Sequence, residues 1–276
     1  MKTFKIENHL VFILLELGIF FINFNKLSLL SLIFSLFITI ITIKLISKIN
    51  IYNNIITRLF ILVISIILFN IFFRETVYYI SNNILKNYSL IPISLSLFIS
   101  IYLITNKGFH TIIKTVLLGS YFILFILLIG IIISFINIKS NYILITNNNL
   151  LNNTIIYSLY EIYCYILIYP ITNTKFNNIN LFIIKFIQII IYITISFNLN
   201  ILINYLDYPY IEIFKSIKLI GFIERIEIIF SLNYLFIFYF LLLFIFYQIK
   251  FITKKKKQLY LIIISLAIIF INLFIL

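Results

Sequence analysis

The chain has 276 residues, of which 63% are hydrophobic and 11% charged, and its formal net charge is +13 at pH 7. A soluble domain carries about 25% charged residues, so this composition excludes a water-soluble fold and predicts a membrane protein. Lysines and arginines are scattered between apolar segments, which is typical of topology signals and argues against a nucleic-acid partner.

Nine apolar segments, each near the roughly 20 residues that cross a bilayer, predict an all-α polytopic membrane helix bundle. This single integral-membrane domain takes in residues 1–276. The first segment has no cleavage site and is followed by further apolar segments, so we expect a retained helix and not a signal peptide. The predicted spans are approximately 9–24, 27–46, 57–80, 89–106, 115–137, 153–171, 179–203, 226–249 and 259–276.

The distribution of basic residues predicts the orientation of these spans. With a cytoplasmic N-terminus, the cytoplasmic side receives twice as many lysines and arginines as the outer side, including the run TKKKKQ at 253–258. The positive-inside rule therefore favours a cytoplasmic N-terminus and an outer C-terminus. Lys114 and Lys185 fall near cytoplasmic ends of spans and are expected to snorkel toward the headgroups.

Two isolated carboxylates fall inside predicted spans. Glu16 lies in the first span, and Glu161 lies in the sixth, one helical turn from Tyr157. A carboxylate at the bilayer centre costs about 2.5–3.5 kcal/mol, so each of the two is expected to be paired, protonated or functional. The face with Glu161 and Tyr157 would suit an amino-acid amine group, and interhelical hydrogen bonds are the structural alternative.

Half of the acidic residues fall in or beside the segment 208–230, on the predicted outer side. Pro209 suits the first turn of a helix, and isoleucines then recur on one face, so residues 208–221 predict an amphipathic helix at the membrane surface. Gly221 would allow a bend that carries Glu224 and Glu227 toward the mouth of the bundle.

Other chemistry-bearing residues indicate structural or gating networks. Arg74 and Glu75 are expected to pair near the outer headgroups, and Arg225 to join Glu224 and Glu227 in a network at the pathway mouth. One cysteine and two distant histidines exclude an internal disulfide and a metal site. No phosphate-binding loop or nucleophile–base arrangement is present in the sequence, so neither a cofactor nor an enzymatic activity is expected.

Three stretches resemble the spore-germination permeases, the GerAB-type B subunits of nutrient germinant receptors. "YPYIEIFKSIKLIGFIERIEIIF" at 208–230 is the most specific, and "FFRETVYYISNNILKNYSLIPISLSLFISIYLITNKGFHTI" at 72–112 and "SLYEIYCYILIYPI" at 158–171 follow the family's order and spacing. The matching residues of the first stretch are Pro209, Leu219, Ile220, Gly221, Phe222, Glu224, Arg225 and Glu227.

The resemblance places the chain in the amino-acid/polyamine/organocation superfamily. It implies LeuT-like inverted repeats, truncated to about nine transmembrane helices, with the ligand beside breaks in helices one and six. Gly18 is kept, but the proline of the first break is lost, and Tyr160 stands where the family has glycine. The implied ligand-binding residues are Glu16, Leu17, Gly18, Tyr157, Tyr160 and Glu161.

The function that this resemblance implies is nutrient sensing in the inner membrane of a bacterial spore. Such a subunit binds a small nutrient, for example an amino acid, and signals to a large A-type membrane subunit and a C-type lipoprotein. Two alternatives stay open on the sequence. One is a secondary amino-acid transporter of the same fold, and the other is a structural or respiratory membrane subunit in which Glu16, Glu161 and Lys185 relay protons or pack.

Overall fold

The computed structural model confirms the all-α class. It describes residues 2–46, 55–85, 88–136, 149–172, 178–199, 203, 206–216 and 226–253, and all regular secondary structure in these ranges is helical. The nine α-helices are α1 Lys2–Asn23, α2 Leu29–Ile46, α3 Ile55–Tyr79, α4 Leu90–Asn106, α5 Phe109–Ile136, α6 Leu150–Thr172, α7 Asn178–Leu199, α8 Pro209–Ser216 and α9 Ile226–Thr253. A 3-10 turn follows α1, and a π-helical turn, Ile80–Ile84, extends α3.

In the part of the chain that the structure describes, four helical segments are long and apolar enough to cross a membrane. They are Ile55–Ile84, Phe109–Phe135, Leu181–Leu199 and Glu227–Thr253. These helices leave large apolar side chains uncovered, such as Leu118 at 80% exposure and Phe60 at 67%. Water disfavours apolar surface of this extent and lipid accepts it, so the structure supports the assignment to the membrane-protein class.

The predicted spans 9–24, 27–46, 89–106 and 153–171 fall on α1, α2, α4 and α6, apart from one residue at the end of α1 and one or two residues at the start of α2 and α4. The predicted ninth span, 259–276, lies outside the described residues. The amphipathic helix predicted at 208–221 is helical over α8, and its residues 217–221 are likewise outside the described ranges. The LeuT-like inverted repeats stay a prediction.

The predicted breaks in the first and sixth spans are wrong. Helix α1 continues through Leu17 and Gly18, and α6 continues through Tyr160 and Glu161. Neither break position carries a proline, so every residue there can donate its N–H to the helical ladder. A single interior glycine costs about 1 kcal/mol relative to alanine, which does not suffice to unwind a helix of this length.

The described chain forms two compact units. Unit 1 comprises Met1–Ile49 and Gly119–Tyr234, and unit 2 comprises Asn50–Leu118 and Leu235–Leu276. In unit 1, α1 and α2 each pack against both α6 and α7, and α8 packs against α7. This four-helix contact is the part of the fold that positions the candidate site.

Unit 2 is held by aromatic contacts and by a lysine at a helix terminus. Phe246 of α9 lies 5.4 Å from Phe69 of α3 and 5.7 Å from Phe98 of α4, measured between ring centroids. Lys250 donates to the Thr105 carbonyl at 3.1 Å and to Asn106 at 2.7 Å. An ammonium at the C-terminal end of α4 complements that helix's dipole.

Helix α8 is anchored in unit 1 by its apolar face. Phe214 stacks on Phe230 at a centroid distance of 3.6 Å, and Asn25 donates a 2.5 Å hydrogen bond to the Leu206 carbonyl just before the helix. Gly130 of α5 lies under this stack. A Cβ at position 130 would come within 2.7 Å of the Phe230 ring and 3.1 Å of the Phe214 ring.

We therefore expect Gly130→Leu to destabilise unit 1 by about 1–3 kcal/mol, because the stacked rings leave no room for the new side chain. The apparent Tm of detergent-purified protein measures this. A thiol-reactive fluorogenic dye provides the signal, since the sequence contains one cysteine and Cys164 is buried until unfolding. Leu128→Phe, at a 57% exposed position on the same helix, is the control. Equal Tm values for both variants would mean that α8 is not docked over Gly130.

Candidate functional site

Buried polar side chains meet where α1, α2, α6 and α7 pack together. We call this group the polar cluster; its members are Glu16, Ser35, Thr39, Tyr157, Glu161, Lys185 and Gln188. All seven are at most 3% exposed. The spacing of the members places them on single helix faces, with Tyr157 and Glu161 four residues apart on α6 and Lys185 and Gln188 three apart on α7.

An ion pair between α6 and α7 lies at the centre of the polar cluster. Lys185 Nζ donates to Glu161 Oε1 and, at 2.7 Å, to Ser35 Oγ of α2. The same ammonium lies 4.5 Å from the centroid of the Tyr157 ring, which provides a cation–π contact. Ser35 and Thr39 also lie close to the Glu161 carboxylate. Polar contacts from the protein thus replace the water that both charges have lost.

The prediction that Lys185 snorkels toward the headgroups is wrong. Its side chain is only 4% exposed and ends on Glu161. A lysine snorkels when its aliphatic stem can bring the ammonium to water. Here a carboxylate, a hydroxyl and an aromatic face are within reach, so the ammonium is solvated inside the bundle.

Glu16 joins the polar cluster from α1 and interacts electrostatically with both Glu161 and Lys185. Gln188 Nε2 donates to the Glu16 backbone carbonyl at 3.3 Å, which ties α7 to α1. When ionised, the three charged groups comprise two carboxylates and one ammonium. Because Glu161 is paired directly with Lys185, an ionised Glu16 would add one negative charge that no direct ion pair balances.

Four buried polar atoms of the polar cluster make no hydrogen bond within the described part of the chain. They are Glu16 Oε1, Glu161 Oε2, Gln188 Oε1 and the Tyr157 hydroxyl. The Tyr157 hydroxyl lies close to Gln188, but the two do not meet the geometry of a hydrogen bond. An unsatisfied buried polar group costs about 1–3 kcal/mol, so four in one place make the polar cluster the candidate site of the described chain.

The structure brings together some of the predicted ligand-binding residues. Glu16, Glu161 and Tyr157 converge in the polar cluster, and Leu17 and Gly18 are buried beside Glu16 on α1. Tyr160 is partly exposed on α6. Sequence reasoning missed Gln188 and Ser35 as members; the signal for Gln188 was its position one turn after Lys185 in an otherwise apolar stretch of α7.

The predicted gating residues are elsewhere. Arg74 and Glu75 lie on α3 in unit 2, where the Arg74 guanidinium is 5.4 Å from the Tyr78 ring centroid. Glu227 lies in the first turn of α9, where a carboxylate favours the helix dipole. Gly221, Glu224 and Arg225 fall outside the described residues.

Comparison with protein families, curated proteins and solved structures gives no match to this chain. Over the described ranges, no group of three or more histidine, cysteine, aspartate or glutamate side chains is arranged to hold a metal ion. The site is thus defined by its own geometry, as a buried and incompletely satisfied polar cluster inside an apolar helix bundle.

Removing the ammonium tests the central ion pair. Lys185→Met leaves the Glu161 carboxylate buried without a partner, and we expect a loss of about 3–5 kcal/mol in stability, measured as a drop in apparent Tm. The double variant Lys185→Met with Glu161→Gln removes both charges and should recover much of that loss.

The exposed pair of Lys215 and Glu212 on α8, 2.5 Å apart, provides the matched control. Lys215→Met should change stability by less than about 1 kcal/mol, since exposed ion pairs contribute little. Equal changes in apparent Tm for Lys185→Met and Lys215→Met would show that the buried ion pair does not stabilise the protein more than the pair on α8 does.

Two variants of Tyr157 test its hydroxyl and its ring separately. The hydroxyl has no hydrogen-bond partner, and the ring contacts Lys185. Tyr157→Phe removes an unsatisfied hydroxyl and keeps the ring under Lys185, so the apparent Tm should stay the same or rise. Tyr157→Leu removes the cation–π contact and should lower stability by about 1–2 kcal/mol or more. Equal losses in both variants would show that the hydroxyl has a structural partner after all.

Proposed function

We propose that this chain is a membrane protein that binds a small polar solute at the polar cluster, as the B-type subunit of a spore nutrient germinant receptor. The observation that carries the binding proposal is the convergence of four unsatisfied buried polar atoms from α1, α6 and α7. Buried polar atoms are normally satisfied, and a solute with complementary donors would satisfy them.

The germinant-receptor part of the proposal depends on the sequence resemblance at 72–112, 158–171 and 208–230. Two features of the structure are compatible with it. Glu16 and Glu161 come from the first and sixth helices, where a LeuT-like fold places its site, and α8 is docked ahead of the last described helix. The partners would be an A-type membrane subunit and a C-type lipoprotein in the spore inner membrane, with the N-terminus cytoplasmic and the solute an amino acid or similar nutrient.

A transporter of the same solute is the second candidate. The observation that favours it is the ion pair between α6 and α7, because an ion pair between two helices can break and form again as the helices move. Continuous α1 and α6 mean that either function would have to work without the helix breaks of a LeuT-like site.

Binding is tested first. Amino acids and their decarboxylated amines are added singly to the purified protein, and the apparent Tm is followed through Cys164. We expect at least one compound to stabilise the protein, by about 2.7 kcal/mol at a hundredfold excess over its Kd, and Glu161→Gln to lose the effect. Glu212→Gln, at a partly exposed position on α8, is the control and should keep it.

Two further measurements separate the functions. Proteoliposomes that accumulate a labelled stabilising compound would favour the transporter, whereas binding without uptake, with co-purification of A-type and C-type subunits, would favour the receptor. If no compound stabilises the protein and it co-purifies with redox subunits, the structural or respiratory alternative replaces both.

A further inference from the structure

We propose that the polar cluster takes a compact monovalent cation, with Glu16 as its counter-ion, and that it discriminates against ligands that carry a carboxylate. The inference rests on the proposed binding function and narrows its ligand class. The ammonium head of a small organic amine and an inorganic monovalent ion share this chemistry.

The first step is the charge balance. Glu161 is neutralised by direct contact with Lys185, whereas Glu16, when ionised, is without a direct ion pair in the described parts of α1, α2, α6 and α7 and interacts with Lys185 only through space. Three further lysines of unit 1 whose side chains the structure describes, Lys26, Lys44 and Lys215, are exposed. One added positive charge would make the buried group neutral, which a medium of low dielectric constant strongly favours.

The second step concerns the atoms around Glu16. Oε1 of Glu16, Oε1 of Gln188 and the Tyr157 hydroxyl are buried, lack hydrogen-bond partners, and belong to residues in mutual contact or electrostatic interaction. Gln188 is 0% exposed and uses its Nε2 on the Glu16 carbonyl, so its oxygen remains to accept. The two Oε1 atoms can accept, and the Tyr157 hydroxyl can accept as well as donate, so the three oxygens could together surround an ammonium group or a hard cation.

The third step excludes a carboxylate in the same place. Lysine has three donor hydrogens, and the Lys185 ammonium contacts Glu161 Oε1, Ser35 Oγ and the face of the Tyr157 ring. No donor of Lys185 is left for an incoming carboxylate, and Glu16 would repel it. A zwitterionic amino acid should therefore bind less tightly than the amine that corresponds to it.

The test compares how small compounds that differ only in their charged groups change the apparent Tm of the full chain. Unfolding is followed by the reaction of Cys164 with the thiol-reactive dye. Ethylammonium and L-alaninamide carry a cation without a carboxylate, L-alanine carries both, and N-acetyl-L-alanine carries only the carboxylate. Sodium and potassium chloride form the inorganic arm, against tetraethylammonium chloride at equal ionic strength. We expect at least one compact cation to raise the Tm, and L-alanine to need at least a tenfold higher concentration for the same shift.

Variants connect the effect to Glu16. Glu16→Gln should abolish the cation-dependent shift while its Tm without ligand stays equal or rises, because it replaces a buried carboxyl group that lacks a direct ion pair by a neutral amide. Glu16→Asp should retain part of the shift, and Glu212→Gln should retain all of it. Should Glu16→Gln fail to fold, Gln188→Met, which removes one acceptor and no charge, should weaken the shift at least threefold.

Each result bears on the inference. It is overturned if L-alanine or N-acetyl-L-alanine stabilises as well as the amines, if Glu16→Gln keeps the shift, or if no compact cation acts. A shift with L-alanine alone would overturn this inference and leave the proposed nutrient binding intact. A shift with sodium or potassium alone would support the inference and count against an organic nutrient as the ligand.

Discussion

The buried ion pair between Lys185 and Glu161 is the interaction on which the rest of unit 1 depends. Either charge alone in an apolar bundle would cost several kcal/mol, so the pair can exist only where its remaining hydrogen-bonding capacity is met. Ser35 from α2 and the ring of Tyr157 meet it on the lysine side. The pair thereby sets the rotation of three helices relative to one another, and apolar packing fills the space around that arrangement.

The polar cluster carries more acceptors than its internal donors satisfy. A purely structural network would be expected to satisfy its own donors and acceptors. Here Glu16, Gln188 and the Tyr157 hydroxyl are left open in the interior. A network that only held helices together would not leave buried polar atoms without partners. The unsatisfied atoms are therefore the physical basis for the functional proposals.

Continuous α1 and α6 have a consequence for how such a site can work. Broken helices expose backbone N–H and carbonyl groups to a ligand, and unbroken helices keep those groups in their own ladders. Side chains must then provide the recognition, which agrees with the concentration of Glu16, Tyr157, Glu161 and Gln188 on helix faces. The missing proline after Gly18 was the sequence feature that pointed to this continuity, because glycine alone permits a break without forcing one.

The sequence by itself determined the membrane class, the helical class and the presence of two costly carboxyl groups, Glu16 and Glu161, inside apolar helices, because apolar length and the cost of a charge in lipid are local properties of the chain. Only the tertiary structure decided where Lys185 points. A lysine near a helix end can reach water or a neighbouring helix, and which it does depends on the rotation and spacing of α2, α6 and α7. The same packing brought Gln188 beside Glu16. Hydropathy and periodicity do not identify the partner of a buried charge, because that partner lies on another segment of the chain.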